Sequence, residues 1–312
     1  MGEMRRRFAI VGPGRVGRAL GLALAARGMV PVGVWGRAEH QTEGRATAKA
    51  HATGGALAAA GDRLARLAAE LCAPARTLPS PELAEADWLF LTVPDRELAV
   101  VADRFDRSGF VRSDTVWIHT AGAYGVEVLP AGRPRLALHP PASISGDPAE
   151  LEELTWAVEA DGAQATEAVA QIIGLLHGRM VSVPGERRAF YHAATAVAAN
   201  LSAAVWLLAE EMLTAIGFDQ AAAHQAVVRL AQSSLTNLER AGAAGVTGPV
   251  RRGDVETVER HLQALKSFGT PYQTETYRRL SLLLACELAK EGILIPADVL
   301  EWKRLLSTEG PD

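Results

Sequence analysis

The chain has 312 residues, 48% of them hydrophobic and 22% charged, with a formal charge of -4. That length favours two domains over one core, and the charge balance offers no global attraction to nucleic acid or to an anionic membrane surface. Cys72 and Cys286 are the only cysteines and lie far apart, so there is no basis for a disulfide framework or a thiolate metal site, and a reducing, cytoplasmic compartment fits best.

Arg5, Arg6 and Arg7 precede an apolar run, but Phe8 to Val11 is too short for a signal peptide's hydrophobic region and reads as a first strand. The strand runs directly into Gly12-Pro13-Gly14-Arg15-Val16-Gly17, a G-x-G-x-x-G pattern, and Arg18 to Arg27 then has helical composition up to Gly28. Strand, glycine loop and helix in this order form a dinucleotide cradle: one glycine makes the tight turn, one admits the pyrophosphate, and one lets helix and strand pack closely. The second strand, Pro31 to Trp35, ends in Gly36-Arg37 with no carboxylate until Glu39. An NAD site usually places Asp or Glu at that strand end to hold the ribose 2′-hydroxyl. Its absence favours NADP(H), with Arg37 paired to the 2′-phosphate and Arg15 adding positive potential, although Arg37 also reads as an ordinary solvated loop arginine.

An alanine-rich segment from Thr47 to Leu71, with Leu57, Leu64, Leu67 and Leu71 near helical spacing, is expected to be a helical excursion between strands. Further strands are expected over Trp88 to Val93, Thr115 to His119, Arg135 to His139, Trp156 to Glu159 and Met180 to Val183, alternating with helical segments around a mostly parallel sheet. Val93, Pro94 and Thr120 follow strand ends, where the nicotinamide half of the cofactor would lie. His119 and His139 reach the same edge, and each reads equally as a proton donor or as a structural histidine bonded to a loop carbonyl.

Near Gly185 the strand signals stop. Ala/Leu-rich stretches over Arg187 to Ile216, Asp219 to Ala241, Asp254 to Lys266 and Gln273 to Glu291 predict an all-α second domain, giving residues 1–184 as a Rossmann-like domain and 185–312 as a helical one. Ala193 to Ala209 is the most membrane-like stretch. Thr195, Asn200 and Ser202 interrupt it and Glu210 and Glu211 end it, so it is expected to be a buried helix rather than a span. His192 and Asn200 stand two helical turns apart and are candidates for an active site, or for a polar pair in the helix core. Thr247-Gly248-Pro249-Val-Arg251-Arg252-Gly253-Asp254 reads as a turn-rich loop able to present backbone donors and two guanidinium groups to an acidic substrate or to phosphate, with Asp254 either a substrate contact or the N-cap of the next helix.

The glycine motif, Leu138-His139-Pro140, His192 followed by Asn200, and the Thr247 to Asp254 segment with His261-Leu262 together resemble a family of predicted oxidoreductases that joins a Rossmann-like NADP-binding domain to a helical domain of unknown function. More distantly the layout is similar to pyrroline-5-carboxylate reductase, ketopantoate reductase and the β-hydroxyacid dehydrogenases. The resemblance implies a helical second domain that closes over the nicotinamide and forms a homodimer. The proton-donating lysine that opens the long helix in the last two families has no counterpart, since the lysines here are Lys49, Lys266, Lys290 and Lys303. His192 takes its place as the expected donor. The expectation is an NADP(H)-dependent oxidoreductase acting on a small carbonyl or imine substrate, the alternative being a cofactor-binding regulatory protein without turnover.

Overall fold

A computed structural model describes residues 6–37 and 63–307. Among these, eight strands form one sheet in the order β3-β2-β1-β4-β5-β6-β7-β8. They are β1 (Arg7–Val11), β2 (Val30–Trp35), β3 (Ala75–Arg76), β4 (Trp88–Leu91), β5 (Val116–His119), β6 (Arg135–His139), β7 (Thr155–Asp161) and β8 (Arg179–Ser182). β1 to β6 are mutually parallel, whereas β7 runs against β6 and β8 runs with β7. The inner strands are buried on both faces, with Phe8, Ile10, Phe90 and Ile118 in one core and Ala9, Leu89 and Trp117 in the other. This is why they read as continuous apolar runs rather than as alternating ones.

Helix α1 (Arg15–Ala26) turns its Ala19-Leu20 and Ala23-Leu24 face onto the first core. It stops at Gly28, whose φ of +83° lets the Gly28 amide reach Ala25 O at 3.0 Å and the Met29 amide reach Leu24 O at 3.1 Å. That pair of bonds satisfies the last carbonyls of the helix. Of the excursion between β2 and β3, residues 38–62 lie outside the described residues, Glu39 and Lys49 with them. Residues 63–70 form helix α2, and its Leu64 and Leu67 join the same core. Helix α3 (Leu98–Arg107) covers the opposite face through Leu98, Ala102 and Phe105, and α4 (Ala163–Leu175) bridges β7 and β8. The two-residue β3 and the reversal of β7 carry no sequence signal of the kind that revealed the other strands.

By packing, the chain falls into two units, Met1–Val197 and Ala198–Asp312. Helix α5 (Gly185–Ala196) thus belongs with the sheet rather than opening the helical part at residue 185, because the Arg188 side chain is fully buried and bonded to the strands. A π-helical turn, Val197–Leu201, follows. The second unit consists of α6 (Ser202–Ala215), α7 (Gln220–Ala241), α8 (Val255–Phe268), α9 (Pro271–Lys290) and α10 (Pro296–Leu306). Its core joins Val258 and Leu262 of α8, Ala285 and Leu288 of α9, and Trp302 and Leu306 of α10. α10, which the sequence reading omitted, begins with Pro296 at its first position, and its Asp298 carboxylate accepts from the Ile295 amide at 3.1 Å.

The segment Gly185–Ala215 is long and apolar enough to cross a membrane by length and composition, and none of its most apolar window is buried. The expected buried helix is therefore not what this chain alone forms: Phe190, Val197, Leu201 and Leu207 are all more than half exposed.

Candidate functional site

The glycine loop is shaped by close backbone approaches. Gly12 has φ +106°, and a Cβ there would lie 2.7 Å from the Thr92 carbonyl carbon and oxygen. At Gly17 a Cβ would lie 2.2 Å from Gly12 O and 2.5 Å from Thr92 Oγ1, so only glycine lets α1 sit against the end of β1. The Thr92 hydroxyl donates to Gly12 O at 2.7 Å and locks the turn to β4. Gly14, by contrast, is open: its nearest neighbour would be Thr92 O at 3.9 Å. It is also the N-cap of α1 and offers no side chain to the free N–H groups, which leaves them to an incoming anion.

These residues border a cleft of about 620 Å³ at the carboxyl ends of β1, β2, β3 and β4. Gly12, Pro13, Gly14 and Arg15 line it from the loop, Gly36 and Arg37 from the end of β2, and Val93 and Pro94 from the end of β4. Val16 packs against the core instead, Gly17 lies beneath the loop, and Thr120 lines no part of the cleft. Among the described residues five arginines line the cleft, Arg15, Arg37, Arg63, Arg96 and Arg104, and one carboxylate, Glu97. Glu97 is ion-paired with Arg37 and is only 19% exposed. Arg63, Arg96 and Arg104 belong to no motif, and only the fold brings them together.

A second group of residues gathers where β5 and β6 end. His119 is buried, accepts the Ala121 amide at Nδ1 (3.2 Å) and places Nε2 3.0 Å from Gly125 O. With Nδ1 as acceptor, the proton sits on Nε2 and is donated to that carbonyl. Burial holds its pKa down to about 4, so His119 is a neutral brace for the 119–125 loop with neither nitrogen left for a substrate. That removes it from the catalytic candidates.

His139 keeps its candidacy in different company. Its Nδ1 lies 2.7 Å from the Tyr191 hydroxyl, and its ring stands edge-to-face with His192, centroids 6.0 Å apart. Gly122 makes room for both, since a Cβ there would lie 2.6 Å from His192 Cδ2 and 2.9 Å from His139 Nε2. Burial, reinforced by His192 and Arg188, holds the His139 pKa down to about 4, and burial raises that of Tyr191, so at neutral pH the imidazole is uncharged and the phenol keeps its proton. Beneath them the Arg188 side chain, fully buried, donates from Nη2 to Ala137 O (3.0 Å) and Ala157 O (3.2 Å) and from Nε to Val183 O (3.2 Å), while its buried Nη1 has no hydrogen-bond partner. Arg188, Tyr191 and His192 stand at i, i+3 and i+4 of α5, a one-face spacing that was available in the sequence.

Asn200 is exposed on the π turn. The 3.6-residue period used to place it on one face with His192 does not run unbroken between them. In the second unit Thr247, Arg251 and Arg252 line a separate cleft, whereas Asp254 is the N-cap of α8: its carboxylate accepts from the Thr257 amide at 3.1 Å and the Thr257 hydroxyl at 2.8 Å, bonds that lower its pKa. Asp254 is therefore a capping residue, not a substrate contact. Among the described residues no group of three or more His, Cys, Asp or Glu could hold a metal ion.

Residues 1–140 match the Rossmann-like domain and residues 154–283 match Domain of unknown function (DUF2520). No curated protein matches the chain by sequence. Among solved structures, a candidate NADP oxidoreductase from Bacteroides fragilis is 19% identical, with a TM-score of 0.65 over 90% of this chain and 98% of the other. A Plasmodium falciparum pyrroline carboxylate reductase with NADP bound is 12% identical, with a TM-score of 0.53 over 98% and 99%. An imine reductase from Pseudomonas sp. is 17% identical, with a TM-score of 0.56 over 96% and 99%. At these identities the likeness is one of fold.

His119, buried, and His139, partly buried, make stability depend on pH. Both have folded pKa values depressed to about 4 from an ordinary 6.5, so the unfolded chain binds more protons between those values. Their contribution is complete above about pH 6.5 and is lost as pH falls toward 4, at up to about 1.4 kcal/mol per pH unit for each. Urea midpoints measured from pH 7 to 5 should fall, and His119→Gln should flatten the slope; an unchanged slope would contradict the neutral buried state.

Proposed function

We propose that the chain is an NADP(H)-dependent oxidoreductase that moves hydride between the cofactor and a small carbonyl or imine substrate. The observation that carries this reading is the open Gly14 at the free N-terminus of α1, facing a cleft that five arginines line. The fold likeness to an NADP oxidoreductase, a pyrroline carboxylate reductase and an imine reductase supports it. When bound, NADPH supplies the hydride. Everything else falls to the chain's own residues.

The α1 amides and Arg15 would hold the pyrophosphate, and Arg37, now paired with Glu97, would turn to the 2′-phosphate, a bidentate acceptor of higher charge. A substrate carbon accepting hydride leaves an alkoxide or amine nitrogen that needs a proton. A histidine with a pKa near 4 is a poor acid at neutral pH, so His139 serves as a neutral hydrogen-bonding partner that orients the Tyr191 hydroxyl. His192, half-buried beside it, is the proton donor.

The second unit's packing supports a proposal on assembly. Its core draws on α8, α9 and α10, whereas α6 and α7 bury only Glu210, Ala223 and Val227 and leave Leu207, Leu230 and Leu235 more than half exposed. A monomer rarely leaves so much large apolar surface uncovered, and a two-fold dimer is the commonest way to cover it. We assign a second copy of this chain to that surface, and a cytoplasmic location to the dimer.

Fluorescence titration should show NADPH binding at least tenfold tighter than NADH, a gap of about 1.4 kcal/mol, and Arg37→Asp should reverse the order. Equal affinities would remove Arg37 from the site. In a panel of carbonyl and imine acids followed by cofactor absorbance, His192→Ala should lower turnover by roughly a hundredfold with NADPH affinity unchanged, and Tyr191→Phe should lower it less. Turnover that survives His192→Ala but not His139→Ala would move the donor to the sheet edge, and tight NADPH binding with no turnover on any substrate would favour a regulatory protein. Sedimentation equilibrium should give the dimer mass at micromolar concentration; monomer mass throughout would overturn the assembly.

A further inference from the structure

The second unit holds a cleft of about 390 Å³ between the last turns of α7 and the loop that leads into α8. Arg240, Arg251 and Arg252 line it together with Asn237 and Thr247, and no acidic residue does so among the described residues. Arginines elsewhere in the chain mostly hold acids: Arg18 pairs with Glu70, Arg112 with Asp87 and Asp114, Arg133 with Asp106, and Arg135 with Asp161. Arg240 and Arg251 pair with no acid among the described residues, and Arg251 Nε is shut away from water without a hydrogen-bond partner there. Arg252 approaches only Asp254, at 3.7 Å, and that carboxylate is already committed to capping α8.

The frame behind these side chains is rigid. A Cβ at Gly245 would lie 2.1 Å from Asn237 O, so the turn Gly242–Gly245 is pressed against α7. Gly248 and Gly253 take φ values of +105° and +68°, the Asp254 amide closes onto Pro249 O at 3.0 Å, and Val250 is anchored in the unit's core. Three like charges are therefore held around one hollow in a protein whose net charge is negative. Asp254 offsets part of the charge of Arg252 alone, so an entering anion would relieve the remaining repulsion.

We infer that this cleft binds a phosphate-bearing small molecule. A carboxylate, with two oxygens and one charge, is satisfied by a single bidentate arginine. Three guanidinium groups, an amide and a hydroxyl match the three oxygens and near-double charge of a phosphate monoester. A volume of about 390 Å³ also leaves room for an organic body, within the usual range for small-molecule sites. None of the residues lines the cofactor cleft, so the inference stands apart from the oxidoreductase reading.

Calorimetric titration of the full chain, with and without saturating NADPH, would use glycerol phosphate as probe and succinate as its dicarboxylate counterpart. The expected result is glycerol phosphate binding at least tenfold tighter than succinate in both conditions. Arg240→Gln with Arg251→Gln should weaken it at least tenfold while leaving NADPH affinity within twofold and the melting temperature unchanged. Should the double variant fold poorly, Arg240→Gln alone, at an exposed helical position, should still weaken binding at least threefold. No heat with the phosphate, heat undiminished by the variants, or equal affinity for succinate would each overturn the assignment.

Discussion

The buried guanidinium of Arg188 is the tie on which the arrangement of His139, Tyr191 and His192 depends. It spans carbonyls of β6, β7 and the chain after β8, so one side chain satisfies three acceptors from three consecutive segments. Burying an arginine with no carboxylate in contact is costly, and the cost is offset here by charge-assisted hydrogen bonds and by the more distant Glu127 and Glu159. Those two acids are themselves anchored: Glu159 accepts from the Val126 and Gly185 amides at 2.9 Å each, and Glu127 from the Gly125 amide at 3.1 Å. The bonds fix where α5 starts and how it is rotated, and so where Tyr191 and His192 stand relative to His139.

The same positive charge shapes the site's chemistry. Arg188 contributes to holding His119 and His139 neutral, and it works against the rise that burial imposes on Tyr191. Position and protonation state thus share one cause. The cleft at the carboxyl ends of β1 to β4 is organised on the opposite principle, by omission: no Cβ at Gly12, Gly14 or Gly17, no capping side chain at α1, and no acid at the end of β2, which leaves room and positive potential for a polyanion.

Much of this was legible in the sequence wherever a residue type answers to one geometric demand. The glycine loop, the β2 end with Arg37 and the strands around Trp88, Trp117 and Leu138 all announce themselves through backbone or burial constraints. Arg188 did not, because arginine composition points to the surface and its partners are carbonyls, which carry no side-chain signature. His119 looked like His139 for a related reason: what separates them is that a loop's own amide and carbonyl occupy both nitrogens of one, while a tyrosine from another element meets the other. Asn200 was misplaced because a π turn leaves no clear mark in composition.

The reversal of β7 has a consequence for stiffness. His139 pairs with Ala157, so β7 begins at the edge where β6 ends, and β8, running with β7, finishes at the far edge. α5 must therefore start at the far side and climb back, and at about 1.5 Å per residue the seven residues from Gly185 to His192 cover about 10 Å of the way. Tyr191 and His192 consequently arrive in the interior of a hydrogen-bonded helix rather than on a strand-end loop. Their positions are set like marks on a ruler clamped at one end, and the loop at that edge meets the marks only where Gly122 makes room for His192.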